Sequence, residues 1–328
     1  MKMEEPARPS KMLWIALVLL LAAGALLSVL TGPIASPPGW VLLQLRLPRL
    51  ALAVIAGAAL SVSGCVLQSI LRNDLATPYT LGISAGAGLV AGTVIVSGAT
   101  IPVIGFVAAG TGGALLTVFL VYSLAAGGSG QRFGSTLILA GVTMNLVGAS
   151  ILLLMEYFSD ASRIMEIVRW MMGDTAVIGW QKPLFLIPPV ATGLFLIALR
   201  TGAMNQISQG DEIASTRGVS VKRERNILLV SAALLAGSTV GAVGPVGFVG
   251  LMVPHIMRRF TGSDYRYLVP ASAMGGMVLM VLADFFSRIV ISPAELPIGI
   301  VMALLGGPFF LMLLLRYSGS RGHGGYKR

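Results

Sequence analysis

Charge is scarce in this chain. Of 328 residues only 11% are Asp, Glu, Lys or Arg, against 55% hydrophobic, and the mean hydropathy is +0.87. That balance excludes a solvated globular surface over most of the chain. Cysteine is nearly absent: Cys65 alone excludes an intramolecular disulfide framework and a Cys-based metal cluster. Ser63-Gly64-Cys65 has the look of a lipoprotein cleavage box, but it lies deep in the second apolar run, so Cys65 reads as a packing residue. There are two histidines, His255 and His323, and neither has a second ligand at metal-binding spacing, which disfavours metal-dependent hydrolysis. His255, after Pro254, reads as a capping or packing residue. None of the five lysines follows a glycine or precedes Ser or Thr, so no phosphate-binding loop is present. If ATP is used, another subunit binds it. Gly82-x-x-x-Gly86-x-Gly88 lacks the strand context of a nucleotide loop and reads as helix packing.

What is abundant is long, non-alternating apolar sequence. Crossing the hydrocarbon core takes about 20 residues of helix with every backbone group bonded internally, which excludes a β-barrel here. Charges, Gly/Pro clusters and polar runs divide the chain into ten predicted helices, at 12–30, 47–71, 79–97, 101–125, 134–157, 181–200, 226–243, 246–260, 267–289 and 296–316. An even number puts both termini on one side. That side then carries 17 of the 23 basic residues and the other 6, so both termini are expected in the cytoplasm. The net charge of +10 follows from this bias and calls for no nucleic acid.

Two interruptions are polar enough to fold outside lipid. In 158–180, Ile164, Ile167, Val168 and Met171 fall on one helical stripe, which predicts a short amphipathic helix on the outer face, either capping the bundle or lining its path. The second, 201–226, is expected in the cytoplasm, and its charge density calls for water or a soluble partner. Gly88-x-x-x-Gly92 and Gly237-x-x-x-Gly241 have the spacing that lets helix backbones approach closely. Gly64 through Gly86 echoes Gly237 through Pro254, a Gly-rich helix followed by a Pro-interrupted one. The expected fold is therefore a single all-α polytopic membrane domain over 1–328. It comprises about ten transmembrane helices in two inverted five-helix repeats, at about 12–157 and 181–316.

Several stretches, taken in order, resemble one family. They include Arg46-Leu-Pro-Arg49, Gly57 to Gln68, Arg72-Asn73-x-Leu75-Ala76-x-Pro78, Arg169-Trp170-Met-Met-Gly173 and Gly210-Asp-Glu-Ile-Ala214. Gly244 through Arg258, Ala283-Asp284-x-x-x-Arg288 and Glu295-Leu-Pro-Ile-Gly299 continue the series. Together they resemble the FecCD-type permeases, the inner-membrane subunits of bacterial ABC importers for ferric siderophores, haem and cobalamin. The resemblance implies a homodimer around a central path, two cytoplasmic ATPase subunits that bind the ATP, and a periplasmic binding protein. It implies no catalytic residue, metal or cofactor in this chain. It assigns ATPase coupling to Asp211, Glu212, Arg217 and Gly218, as two short helices around a glycine turn. It assigns binding-protein docking to Arg46, Arg49 and Arg288, and gating to the loop at Asn73 and Leu75 and to Gly134 and Ser135 before a path-lining fifth helix.

Two departures stand out: Asp74 lies where many relatives have proline, and Gly134-Ser135-Thr136 lacks the hydroxyl-rich, basic character expected there. For Arg288 the residues alone offer an alternative, an i, i+4 pair with Asp284. For the whole chain the alternative is an ion-coupled secondary transporter, which would want ionisable groups at mid-membrane. Glu156 and Asp284 are placed near helix ends. The 16 methionines and 12 phenylalanines suit a greasy path and ordinary packing equally, so the residues leave the ligand open.

Overall fold

The computed structural model describes residues 9–32, 37–125 and 130–321. Among these there are thirteen α-helices and no strand. They are α1 (Lys11–Leu30), α2 (Gly39–Leu71), α3 (Ile83–Ser97), α4 (Val103–Ala125), α5 (Gly130–Tyr157) and α6 (Ala161–Met171). The rest are α7 (Gln181–Ala198), α8 (Thr201–Ile207), α9 (Asp211–Thr216), α10 (Val221–Val243), α11 (Val249–Thr261), α12 (Tyr265–Ile289) and α13 (Ile298–Arg321). Seven of them, α1, α2, α4, α5, α7, α10 and α12, are long and apolar enough to span a bilayer. Helices α3 and α13 supply shorter apolar stretches at two of the other predicted spans, and α11, with Arg258 and Arg259 in its last turn, lies at the third.

The boundaries differ where charge misled the reading. Helix α2 begins at Gly39, not at 47, because the apolar Trp40–Leu43 run continues through a π-turn at Leu42–Arg46 instead of stopping at the arginine. Arg46 and Arg49 therefore lie inside the helix and not at its mouth. Gly134 and Ser135 likewise lie within α5, which starts at Gly130, and not before it. Residues 126–129 lie outside the described residues.

The core is built on α2 and α10, each with 78% of its central stretch buried. Small residues permit this. In lipid there is no hydrophobic drive between helices, so close van der Waals contact has to supply the association. A side chain at Gly57 would strike the carbonyl of Gly276 on α12, and one at Gly64 would strike Gly250 on α11. The helix contacts fall into matching sets. Helix α2 packs on α12 as α10 packs on α4, α3 on α4 as α11 on α12, and α3 on α5 as α11 on α13.

Helices α3 and α11 are short because each is entered through irregular backbone, which membrane proteins tolerate where it packs against protein or faces water. Before α3, Arg72 turns left-handed at φ 47° and a 3₁₀ turn runs Pro78–Leu81. Thr77 and Thr80 hold that turn with reciprocal hydroxyl-to-backbone bonds of 3.3 and 3.1 Å. Before α11 lies the extended Gly244–Gly247 stretch. The amphipathic helix expected in 158–180 is α6. It packs on α3, burying Ile167 and leaving Met171 exposed.

Candidate functional site

At the end of the bundle opposite the basic loops, five charged side chains from α2, α12 and the following loop converge. Arg49 donates from Nε to Asp284 Oδ1 at 2.7 Å and from Nη1 to Glu295 Oε2 at 2.7 Å. Arg288 pairs with Asp284 Oδ2 at 3.3 Å, the i, i+4 contact considered from sequence. Thr175 donates to Asp284 Oδ1 at 2.5 Å. Asp284 lies in the last turns of α12, near the helix end as expected, and is 1% exposed, so it is a buried carboxylate. Two guanidiniums and a hydroxyl neutralise it, an arrangement unlike an ion-coupling carboxylate left open to the path.

The same arginines close a helix. The last carbonyls of α1 have no partner within the helix, and its negative dipole end favours cations. Arg46 donates to the Val29 carbonyl at 2.6 Å, and Arg288 to the Ser28 carbonyl at 3.0 Å and its hydroxyl at 2.6 Å. Arg46, Arg49 and Arg288 are thus brought together, but all three are engaged within the chain, Arg46 and Arg288 buried and Arg49 half-buried. Glu295, 40% exposed, is the accessible member of the group. Trp180 and Gly179 tie the loop after α6 to the start of α2, through the carbonyls of Leu43 and Gln44.

At the basic end, Asp211 is the junction. As the first residue of α9 it accepts Arg225 Nη2 at 2.9 and 3.0 Å and Arg72 Nη2 at 3.4 Å. Arg225 also lies over the Phe133 ring, 4.8 Å from its centre. Glu212 is exposed, and Arg217 donates to Gln209 Oε1 at 3.3 Å. Gly218 makes the turn between α9 and α10 at φ 81° with open space beside it, so backbone conformation and not crowding requires glycine there. The expected helix–glycine–helix is present, except that its second helix is the first turn of the spanning α10. A depression of about 430 Å³ opens beside it, lined by Gly202, Asn205, Gly218, Arg223 and Arg266 among others.

The candidate gate residues are also neighbours. Gly134 on α5 packs against Leu71 at the end of α2, next to the Arg72–Thr77 loop. In that loop the Asn73 side chain accepts from Leu75 N at 2.9 Å, and Leu75 is 48% exposed. Ser135 is exposed on α5. The unexpected Asp74 pairs with Arg258 of α11, which also donates to Gln68 Oε1 at 3.3 Å. Sequence gave no warning of the Arg49–Asp284 or Asp74–Arg258 pairs, whose members lie 235 and 184 positions apart. Between its buried positions Phe133, Leu137, Gly141, Gly148 and Leu152, α5 leaves most of its circumference to lipid or a partner.

The chain is similar to known proteins along most of its length. The chain is 36% identical to the hemin transport system permease protein HmuU of Yersinia pestis, over 84% of this chain and 83% of that one. It is 36% identical to the vitamin B12 import system permease protein BtuC of Klebsiella pneumoniae, over 97% and 96% respectively. Its structure superposes on a metal-chelate type ABC transporter in an inward-facing conformation with a TM-score of 0.83 and 29% identity, covering 93% of this chain and 98% of that one. The sequence pattern of the FecCD transport family matches residues 12–316, and the chain is a multi-pass transport permease belonging to that family.

Proposed function

We propose that this permease works as a homodimer in the bacterial inner membrane, with both termini cytoplasmic, and imports an iron chelate (a ferric siderophore or haem) or cobalamin. Two cytoplasmic ATPase subunits bind the ATP, and a periplasmic binding protein delivers the ligand. The observation that carries the reading is the basic-end platform of Asp211, Glu212, Arg217 and Gly218. It is a charged surface on a chain whose sequence has no phosphate-binding loop, formed by α9 and the turn that leads into the central spanning helix α10. Relatives named for hemin and vitamin B12 narrow the ligand to bulky chelates and macrocycles.

In this reading the outer arginines meet the binding protein by exchange. A partner carboxylate displaces the exposed Glu295 from Arg49, while Asp284 keeps the buried side of the guanidinium occupied. The loop at Asn73 and Leu75, with Gly134 and Ser135 of α5, forms the inner gate, and the unpartnered face of α5 lines the path. Ligand-stimulated ATP hydrolysis by the reconstituted complex, measured with hemin, cobalamin and a set of ferric siderophores, tests it. Stimulation by one of them is expected; stimulation by none refutes the substrate class.

A further inference from the structure

Phe248 is a bulky residue held left-handed, at φ 68° and ψ −26°, where a side chain of its size is a backbone outlier. It stands immediately before α11, and its carbonyl accepts Leu251 N at 3.0 Å and Met252 N at 2.8 Å, so the strained peptide starts the helix. Such strain persists only where the surroundings over-determine it. Here they do. One side of the segment is fixed at Gly250, where a side chain would meet the Leu60 carbonyl at 2.7 Å, Gly64 Cα at 3.2 Å and Pro78 Cδ at 3.4 Å. The other side is fixed at Gly244, where it would meet Gly173 Cα at 3.1 Å beneath the end of α6.

Between these anchors the Phe248 ring fills a slot on α13. A Cβ on Gly306 would lie 2.6 Å from Phe248 Cβ and overlap the ring carbons, so no other residue fits there with the ring in place. Two turns further along α11, His255 makes an edge contact with Phe309 of α13, ring centres 6.1 Å apart. Helix α13 is anchored at its start, where Ile298, Val301 and Met302 are buried, but is lightly held further along, with Leu304, Leu311, Met312 and Leu315 all exposed. The inverted repeat offers a counterpart. Gly82 starts α3 in the same left-handed conformation, at φ 76°, and the 3₁₀ turn before it abuts Gly141 of α5 as Phe248 abuts Gly306 of α13. The inner copy uses a glycine to make this bend, whereas the outer copy forces a phenylalanine into it and uses the ring as a fastener.

We propose that Phe248 is a positioning residue of the transport cycle, a latch whose ring in the Gly306 slot holds α13 against α11 in this conformation. Withdrawal of the ring relaxes the left-handed peptide and frees α13. Because Gly250 in the next turn touches Pro78 of the inner gate loop, and Gln68 donates to the Gly250 carbonyl at 3.2 Å, release at the slot is felt at that loop. The transport arm of the test rests on the importer reading; the distance arm does not.

The test uses the full permease in a Cys65→Ala background, with spin labels at Phe260→Cys on α11 and Leu311→Cys on α13. Gly306→Ala should displace α13 and change the label distances without nucleotide, and should lower uptake of hemin or cobalamin by the assembled transporter about tenfold through overpacking. Phe248→Ala should broaden the distances. The double variant Phe248→Gly/Gly306→Ala, which also removes the Phe248 Cβ, should no longer clash, and its protein yield should exceed that of Gly306→Ala if the single variant assembles poorly. Wild-type distances in Gly306→Ala, or a double variant no less perturbed in yield and distance than Gly306→Ala, overturn the proposal. Unperturbed uptake in Gly306→Ala by a transporter that moves either probe overturns it as well. A wild-type complex that moves neither probe counts against the substrate reading alone, since the distances are read without ligand.

Discussion

Replacing Asp284 with alanine removes one carboxylate and strands two cations. Its Oδ1 accepts Arg49 at 2.7 Å and Thr175 at 2.5 Å, and its Oδ2 lies 3.3 Å from Arg288. The group is 1% exposed, so water cannot replace it. Removing one member of a buried pair costs about 3–5 kcal/mol, because the remaining charge keeps its desolvation cost without its partner. Two features lower the figure here. Arg49 retains Glu295, and Arg288 retains the Ser28 carbonyl and hydroxyl. The lower end, about 3 kcal/mol, is therefore expected for Asp284→Ala. Thr175→Val, which deletes one neutral donor, should cost about 1 kcal/mol. Thermal unfolding of the detergent-solubilised permease reads both, and a cycle with Arg49→Ala isolates the pair. If Asp284→Ala melts with the wild type and shows no coupling to Arg49→Ala, the cluster does not hold α2 to α12, and the inward-facing reading of these arginines fails.

Four further outcomes follow from the geometry. Gly218→Val has room for its side chain but not for its φ of 81°, so it should leave the permease inserted yet separate ATP hydrolysis from transport; coupled transport at the wild-type rate would refute this. Glu295→Gln should tighten binding-protein association by removing the competing acid, while Arg49→Glu should weaken it and wild-type association should fall with salt; association indifferent to all three would remove Arg49 from docking. Ser135→Cys in a Cys65→Ala background should crosslink across the dimer and block transport reversibly, and failure at every position from 132 to 136 in an intact dimer would take α5 out of the path. Asp74→Ala breaks a surface pair with Arg258 and should change stability by less than about 1 kcal/mol, so a large fall in melting temperature would mean that the loop depends on the pair structurally.

The helices were legible in the sequence because the bilayer imposes a length and a polarity that no partner has to supply. The exceptions are informative. Arg46 looked like the edge of a span, yet α2 runs through it, because an arginine inside a helix is tolerated once another helix end offers carbonyls to it. At the basic end only the dense charge of 201–226 was legible in the residues themselves, because such charge beside a membrane calls for water or a soluble partner; the roles of Asp211, Glu212, Arg217 and Gly218 came with the family resemblance. The outer cluster was not legible. Its composition was visible, but whether Arg49 faces a partner or Asp284 depends on which helix lies beside α2, and no local pattern encodes that pairing. Phe248 left no mark either, since a left-handed phenylalanine is created by its anchors at Gly244 and Gly250 and not by its own preference.

The position of Asp211 determines how a push from below is divided. Its carboxylate holds Arg72, which ends α2, and Arg225, in the second turn of α10. These are the two central helices, one from each repeat. In the proposed cycle a load applied to α9 thus reaches both central helices through one carboxylate, like a balance beam whose pivot is one side chain.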